Sequence, residues 1–221
     1  MILLWGLEGD SPLKRVRDIL TQKRIEHLFL NHADILETHI SIDYNNGISG
    51  ALHAYGKSYE LNSIRSFYLR PYDFREFPHL KNLGEKSPEW IQAITFEDIL
   101  WTYAELTDAL VLNKPSSMLS NNSKPYQCSL IEKSGFRIPE TMITTDKDAV
   151  LEFKRQHTEL IYKSVSGHRS IVNRLGKNHQ LYLDDIRWCP TQFQELIPGD
   201  DYRVHVVGTK VFASKILSHS V

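Results

Sequence analysis

The chain opens on a short apolar run, "MILLWGL", whose continuous hydrophobic positions predict a buried strand. Asp10-Ser11-Pro12 then reads as a helix start, with Ser11 as N-cap and Pro12 at the first helical position. This helix would turn Val16, Ile19 and Leu20 inward, and "IEHLFLN" follows as a second strand. Strand, helix and strand in that order make an α/β opening. "ILETHISIDY" and "ISGALHAYG" flank Asn45-Asn46-Gly47, a turn suited to positive φ, so a hairpin is predicted there. "IRSFYLRP" reads as a strand ended by Pro71, and "PYDFREFPHLKNLGEKSP" as an ordered loop. From Pro88 to about Leu110, the positions Trp90, Ile91, Ile94, Ile99, Leu100, Tyr103, Leu106 and Leu110 recur at helical spacing. One long helix packed on the sheet is expected.

The second half begins at "VLNKPSSMLSNNSKP", a short strand followed by Pro, Ser and Asn, and the best domain-boundary candidate. Residues 123–134 predict a helix closed by Gly135 at C′. "IPETMITT" reads as a strand and "DKDAVLEFKRQH" as a helix with acidic residues in its first turn. "LIYKSVSGHRSIVNR" reads as a β-hairpin, followed by the strands "TQFQELI", "DYRVHVVG" and "KVFASKIL". No internal repeat or low-complexity tract interrupts this order.

Composition narrows the class. The 221 residues are 41% hydrophobic and 24% charged, as in ordinary globular proteins. A formal net charge of -1 gives no sign of a nucleic-acid or membrane partner. Two distant cysteines, Cys128 and Cys189, fit a reducing compartment better than a disulfide scaffold. There is no CxxC, no HExxH and no histidine cluster at metal spacing, so the ten histidines read as surface or satisfied core residues. "MILLWGLEGD" lacks a basic n-region, and no apolar run has bilayer-spanning length. The expectation is a cytoplasmic protein.

Four features carry candidate chemistry. Lys124 sits at a helix start, and Lys163 ends a strand before a small-residue loop. Gln194-Glu195-Leu196-Ile197 ends another strand at Pro198-Gly199, and Asp201 and Arg203 open the next. Each alone is most simply a solvated charge or a turn. Together they describe a pocket with a part for each portion of ATP. Two ammonium groups can neutralise phosphates as compact point charges, and a loop without bulk lets backbone N–H groups reach phosphate oxygens. A strand end offers backbone C=O and N–H groups to adenine, with apolar Leu196 and Ile197 beside the base and a nearby carboxylate for the ribose. GxxxxGK[ST] is absent, as are HRD and DFG, and "GLEGD" is not GxGxxG.

The segments "NNSKPYQCSLIEKSGFRIPETMITTD", "LIYKSVSGHRSIV" and "TQFQELIPGDDYRVHVVGTKVFASKI", over roughly residues 113 to 217, resemble the ATP-grasp superfamily, specifically its RimK/glutathione-synthetase-like ligases. The resemblance implies that Lys124 and Lys163 grip the phosphates and that the loop Ser166 to Ser170, with Ser166, Gly167 and Ser170, closes over the triphosphate. It implies adenine binding through the backbone of Gln194 to Ile197, and ribose binding by Asp201. Arg203 and Lys215 fall where such proteins place charges near the phosphates or the acyl intermediate. "YLRPYDFREFP" is either a substrate-side loop or a strand terminator stabilised by Arg70.

The implied fold is α/β (α+β): a preATP-grasp-like domain at 1–112, an ATP-grasp small or lid subdomain at 113–199, and the start of a C-terminal ATP-grasp subdomain at 200–221. The implied activity is ATP-dependent joining of a carboxylate to an amine or thiol through an acyl phosphate, on an amino acid, peptide or protein. The family's late magnesium ligands, an Asp or Glu followed by Glu-x-Asn, have no counterpart, because no Asp or Glu follows Asp201. An incomplete ATP-grasp domain is therefore expected, one that binds ATP weakly and turns over little. A domain of this kind leaves strand edges and apolar surface open, favouring homo-dimerisation or instability. The alternative is a non-catalytic nucleotide-binding or regulatory protein.

Overall fold

The computed structural model describes residues 1–45, 47–165, 171–176 and 178–217. The chain forms two compact units, Met1–Leu119 and Ser120–Val221.

In the first unit, strands β1 (Ile2–Gly6), β2 (His27–Asn31), β6 (Ser66–Arg70) and β7 (Leu110–Leu112) form a parallel sheet of order β2-β1-β6-β7. Alternation assigns its two faces. Leu4 packs with Leu13 and Leu20 of helix α1 (Ser11–Gln22), against partly buried Ile2, Phe29 and Tyr68. Leu3, Trp5, Leu28, Leu30, Phe67 and Leu69 join the larger core, which includes helix α3 (Pro88–Leu106). The predicted hairpin is β3 (His39–Asp43) with β4 (Ser49–Ala54), extended by β5 (Lys57–Glu60) into a three-stranded antiparallel sheet.

Several local expectations shift. The N-cap of α1 is Asp10 rather than Ser11: Leu13 N–H donates to its carboxylate at 2.8 Å. Arg70, at the end of β6, donates to the same carboxylate through Nε (2.8 Å) and an Nη (2.9 Å). This pairing ties the strand end to the helix start, as in the strand-terminator reading of Arg70. Inside α1, Leu13 takes the inward position and Ile19 is only half-buried. Helix α3 ends at Leu106 rather than near Leu110, which belongs to β7, and Ile91 and Leu106 are exposed. The stretch after Pro71 holds a short helix, α2 (Pro78–Lys81), and a 3-10 turn at Phe74–Glu76. His32 is a core histidine: Nδ1 accepts the Tyr72 N–H at 3.1 Å, and Nε2 lies 2.7 Å from a Glu97 carboxylate oxygen.

Helix α4 (Pro115–Asn122), unforeseen in the boundary stretch, leads into the second unit. Helix α5 (Lys124–Lys133) is capped by Ser123, and Gly135 beyond its end has φ +85°, a conformation that glycine adopts without Cβ strain. Strands β8 (Thr141–Thr144), β9 (Leu160–Ser164), β10 (Asn173–Arg174) and β11 (Thr191–Glu195) form an antiparallel sheet of order β10-β9-β11-β8. Leu160 and Phe193 face a core built from Val150 and Phe153 of helix α6 (Lys147–Gln156) and from Leu183 and Ile186 of a 3-10 segment, Asn178–Trp188. Strands β12 (Asp201–Val207) and β13 (Lys210–Ile216) form a separate hairpin in which every residue is exposed. Among the described residues, no helix is long and apolar enough to cross a membrane.

Candidate nucleotide site

Register places the site. In the β9–β11 ladder Phe193 pairs with Tyr162 on the core side, Gln192 with Lys163 and Gln194 with Ile161 on the other. Across β8, Gln192 pairs with Ile143 and Gln194 with Thr141. The face turned away from the hydrophobic core therefore carries one ammonium and two carboxamides. Gln194 is 7% exposed and fully engaged: its Oε1 accepts from Lys163 Nζ (3.2 Å) and its Nε2 donates to Thr141 Oγ1 (2.8 Å). Gln192 is 1% exposed, and neither of its amide atoms has a partner among the described residues. Isolating such groups costs about 1–3 kcal/mol each.

Lys163 is half-buried on this face. Burial lowers its pKa below the usual lysine value, the Lys124 charge lowers it further, and the Cys128 thiol acts in the opposite direction. Lys124, placed at the start of α5 by the Ser123 cap, reaches the end of β9, where Nζ donates to Ser164 O at 3.0 Å. The two lysines predicted for the phosphates thus converge on one strand end. Two cations held close, one of them partly desolvated, favour an anion between them.

At the other end of β11, the Glu195 side chain turns to the core side, where Oε1 accepts the Glu140 N–H at 2.8 Å and Oε2 lies 3.9 Å from His157 Nδ1. Its backbone N–H donates to Glu140 O, and that of Leu196 to Glu159 O. Ile197 is exposed beside them. Asp201 and Arg203 lie two apart on β12 and share one face of the hairpin. Lys215 pairs across the ladder with Tyr202 on the opposite face, and its Nζ donates to Asp200 at 2.7 Å. The hairpin therefore does not bring Arg203 and Lys215 together. Ser166, Gly167 and Ser170 lie outside the described residues. Reading "TQFQELI" as one run overlooks Gln192; the available signal is that 192 and 194 share a strand face, as residues two apart must.

A crevice of roughly 770 Å³ opens in the first unit at the carboxyl ends of β1, β2 and β6, lined by Glu8, Gly9, Asp10, Asn31, Arg70 and Tyr72 among others. Among the described residues, no group of three His, Cys, Asp or Glu side chains could hold a metal ion.

No family model and no curated protein matches the chain. Solved structures do. A RiPP-associated ATP-grasp ligase of Chryseobacterium gregarium, in complex with ADP and a leader and core peptide, superposes with TM-score 0.80 at 23% identity, over 97% of this chain and 68% of that one. The ATP-grasp ligase PsnB, complexed with a minimal precursor, gives TM-score 0.80 at 21% identity over 100% and 72%. The macrocyclase MdnC of Microcystis aeruginosa, bound with precursor peptide MdnA, gives 0.81 at 17% over 99% and 74%. The likeness at these identities is one of fold, and the fold of this chain is that of the ATP-grasp ligases.

Proposed function

We propose that the chain is an ATP-grasp-type ligase that activates a carboxylate with ATP and joins it to an amine or thiol, with a peptide as the substrate class. The observation that carries this reading is the polar face of β9 and β11, where Lys163 and Lys124 converge beside two buried carboxamides. In the proposed reaction, a carboxylate oxygen takes the γ-phosphoryl group of ATP, giving an acyl phosphate and ADP. The amine or thiol then attacks the acyl carbon, the bond from that carbon to the phosphate oxygen breaks, and inorganic phosphate leaves. This chain's part is electrostatic and positional: the two ammonium groups offset charge on the phosphate oxygens, and the main chain from Gln194 to Ile197 is assigned to the adenine edge. Asp201 is assigned to the ribose and Arg203 to the phosphate or acyl side, with Lys215 in a lesser role on the opposite hairpin face.

The peptide assignment draws on the solved neighbours, which are complexed with precursor or leader and core peptides. The crevice of the first unit suits the substrate side, because open parallel sheets take ligands outside the carboxyl ends of their strands. Other solved PsnB structures contain magnesium with ADP, or AMPPNP. The second reading is a nucleotide-binding or regulatory protein without catalysis.

The test is a thermal-shift titration of the full chain with ADP and ATP, followed by an assay of ADP release with added peptides. A rise in melting temperature at millimolar nucleotide supports the site, and peptide-dependent ADP release separates ligase from binder. No shift with either nucleotide sinks both readings.

A further inference from the structure

Among the described residues, Gln192 is the buried polar side chain on the nucleotide face whose chemistry the fold leaves unused. It sits in the centre of the sheet, between Lys163 of β9 and Ile143 of β8, at 1% exposure. An apolar residue would pack there without leaving polar atoms unmatched, and Phe193 beside it, on the opposite face, does so. Gln194, on the same face, has both ends of its amide bonded, which makes the contrast a matter of position rather than residue type. Among the described residues, Gln192 Oε1 and Nε2 have no partner.

Position also selects the part of the ligand. Gln192 lies two residues before Gln194, about 7 Å along the strand from where the main chain assigned to adenine begins. It is directly opposite Lys163, with pairing that brings Cβ atoms to about 4.5–5.5 Å. Lys124 approaches from the same end of β9, at Ser164. A carboxamide there offers two N–H donors toward an anion held by ammonium groups, and a carbonyl that can face the Lys163 ammonium.

We infer that Gln192 is a phosphate-binding residue of the nucleotide site, its Nε2 donating to a non-bridging phosphate oxygen of a nucleoside di- or triphosphate gripped by Lys163. The inference rests on the nucleotide reading above and adds to it a residue selective for the phosphate end over the nucleoside end.

The experiment compares adenosine, AMP and ADP by calorimetric titration against the full chain and its Gln192→Met and Gln192→Glu variants, with melting temperatures measured in parallel. Gln192→Met keeps length and volume and removes both polar atoms. ADP affinity should fall about 10-fold or more, adenosine affinity should change less than about twofold, and the unliganded variant should melt no lower than the parent. Gln192→Glu should lower ADP affinity further, because its carboxylate faces the same phosphates. AMP places the contact: a loss equal to that of ADP puts it at the α-phosphate, and no loss at the β-phosphate. Equal losses for adenosine and ADP, unchanged ADP affinity, or a variant that only melts lower would each overturn the inference. Failure of the parent chain itself to bind ADP would instead remove the nucleotide reading beneath it.

Discussion

Lys163 shows how a residue's role follows from its surroundings. The side chain leaves a central strand, so burial penalises its charge, and Lys124 adds repulsion. A bound phosphate would reverse both effects. Lys163→Ala should therefore weaken ADP binding about 10- to 100-fold, the scale of charge-assisted hydrogen bonds, as read by titration calorimetry. An unchanged affinity would return Lys163 to the status of a surface charge. The pH dependence has a fixed sign. With the folded pKa lowered, the ammonium is lost below the ordinary lysine value of 10.5, so ADP affinity should fall as pH rises through that alkaline window. Stability of the unliganded chain should rise over the same window, since the unfolded state there binds more protons. Lys163→Ala should show neither trend. Lys124 and Lys163 were legible in the chain because a helix start and a strand end are local features. Gln192 was not, because burial and the lack of partners come from strands far apart in sequence.

At the level of elements, the Asp10–Arg70 pair joins the start of α1 to the end of β6. Asp10 carries two tasks, cap and ion pair, which substitutions can separate. Asp10→Ala should cost about 1–3 kcal/mol, cap and pair together, whereas Asp10→Asn keeps the capping oxygen and should cost about 1 kcal/mol or less. Urea unfolding at neutral pH measures both, and equal losses would mean that the cap contributes nothing. The hydrogen bond from Arg70 is the main cause of the lowered Asp10 pKa. The pair's contribution is accordingly present above pH 3.8 and lost as pH falls below it. Asp10 and Ser11 are both good capping residues by type, and Asp10, which caps, also accepts from Arg70, sixty residues on. Helix α3 poses a related problem: apolar residues surround it, so periodicity could not say that Ala93, Phe96, Leu100 and Tyr103 face inward while Ile91 does not.

Over the whole molecule, the chain divides into two units. The first buries residues on both faces of its parallel sheet, whereas the core of the second lies on one face of an antiparallel sheet. The second unit should melt first, and ADP should delay only that transition. Differential scanning calorimetry with and without ADP tests this; one cooperative transition that shifts as a whole would contradict it. The β12–β13 hairpin leaves Val204, Val206, Val211 and Phe212 open to solvent. Hydrophobic alternation and turn residues were sufficient to read the α/β order, the hairpin of β9 and β10 and the sequence of lysine, lysine, strand end and acid, because those signals act over a few residues. Which face each strand turns to the core, which carboxylate caps α1, and that Arg203 and Lys215 point apart were decided by register and packing. Those depend on contacts between distant segments, and a one-residue change in register would send each of these side chains to the other face.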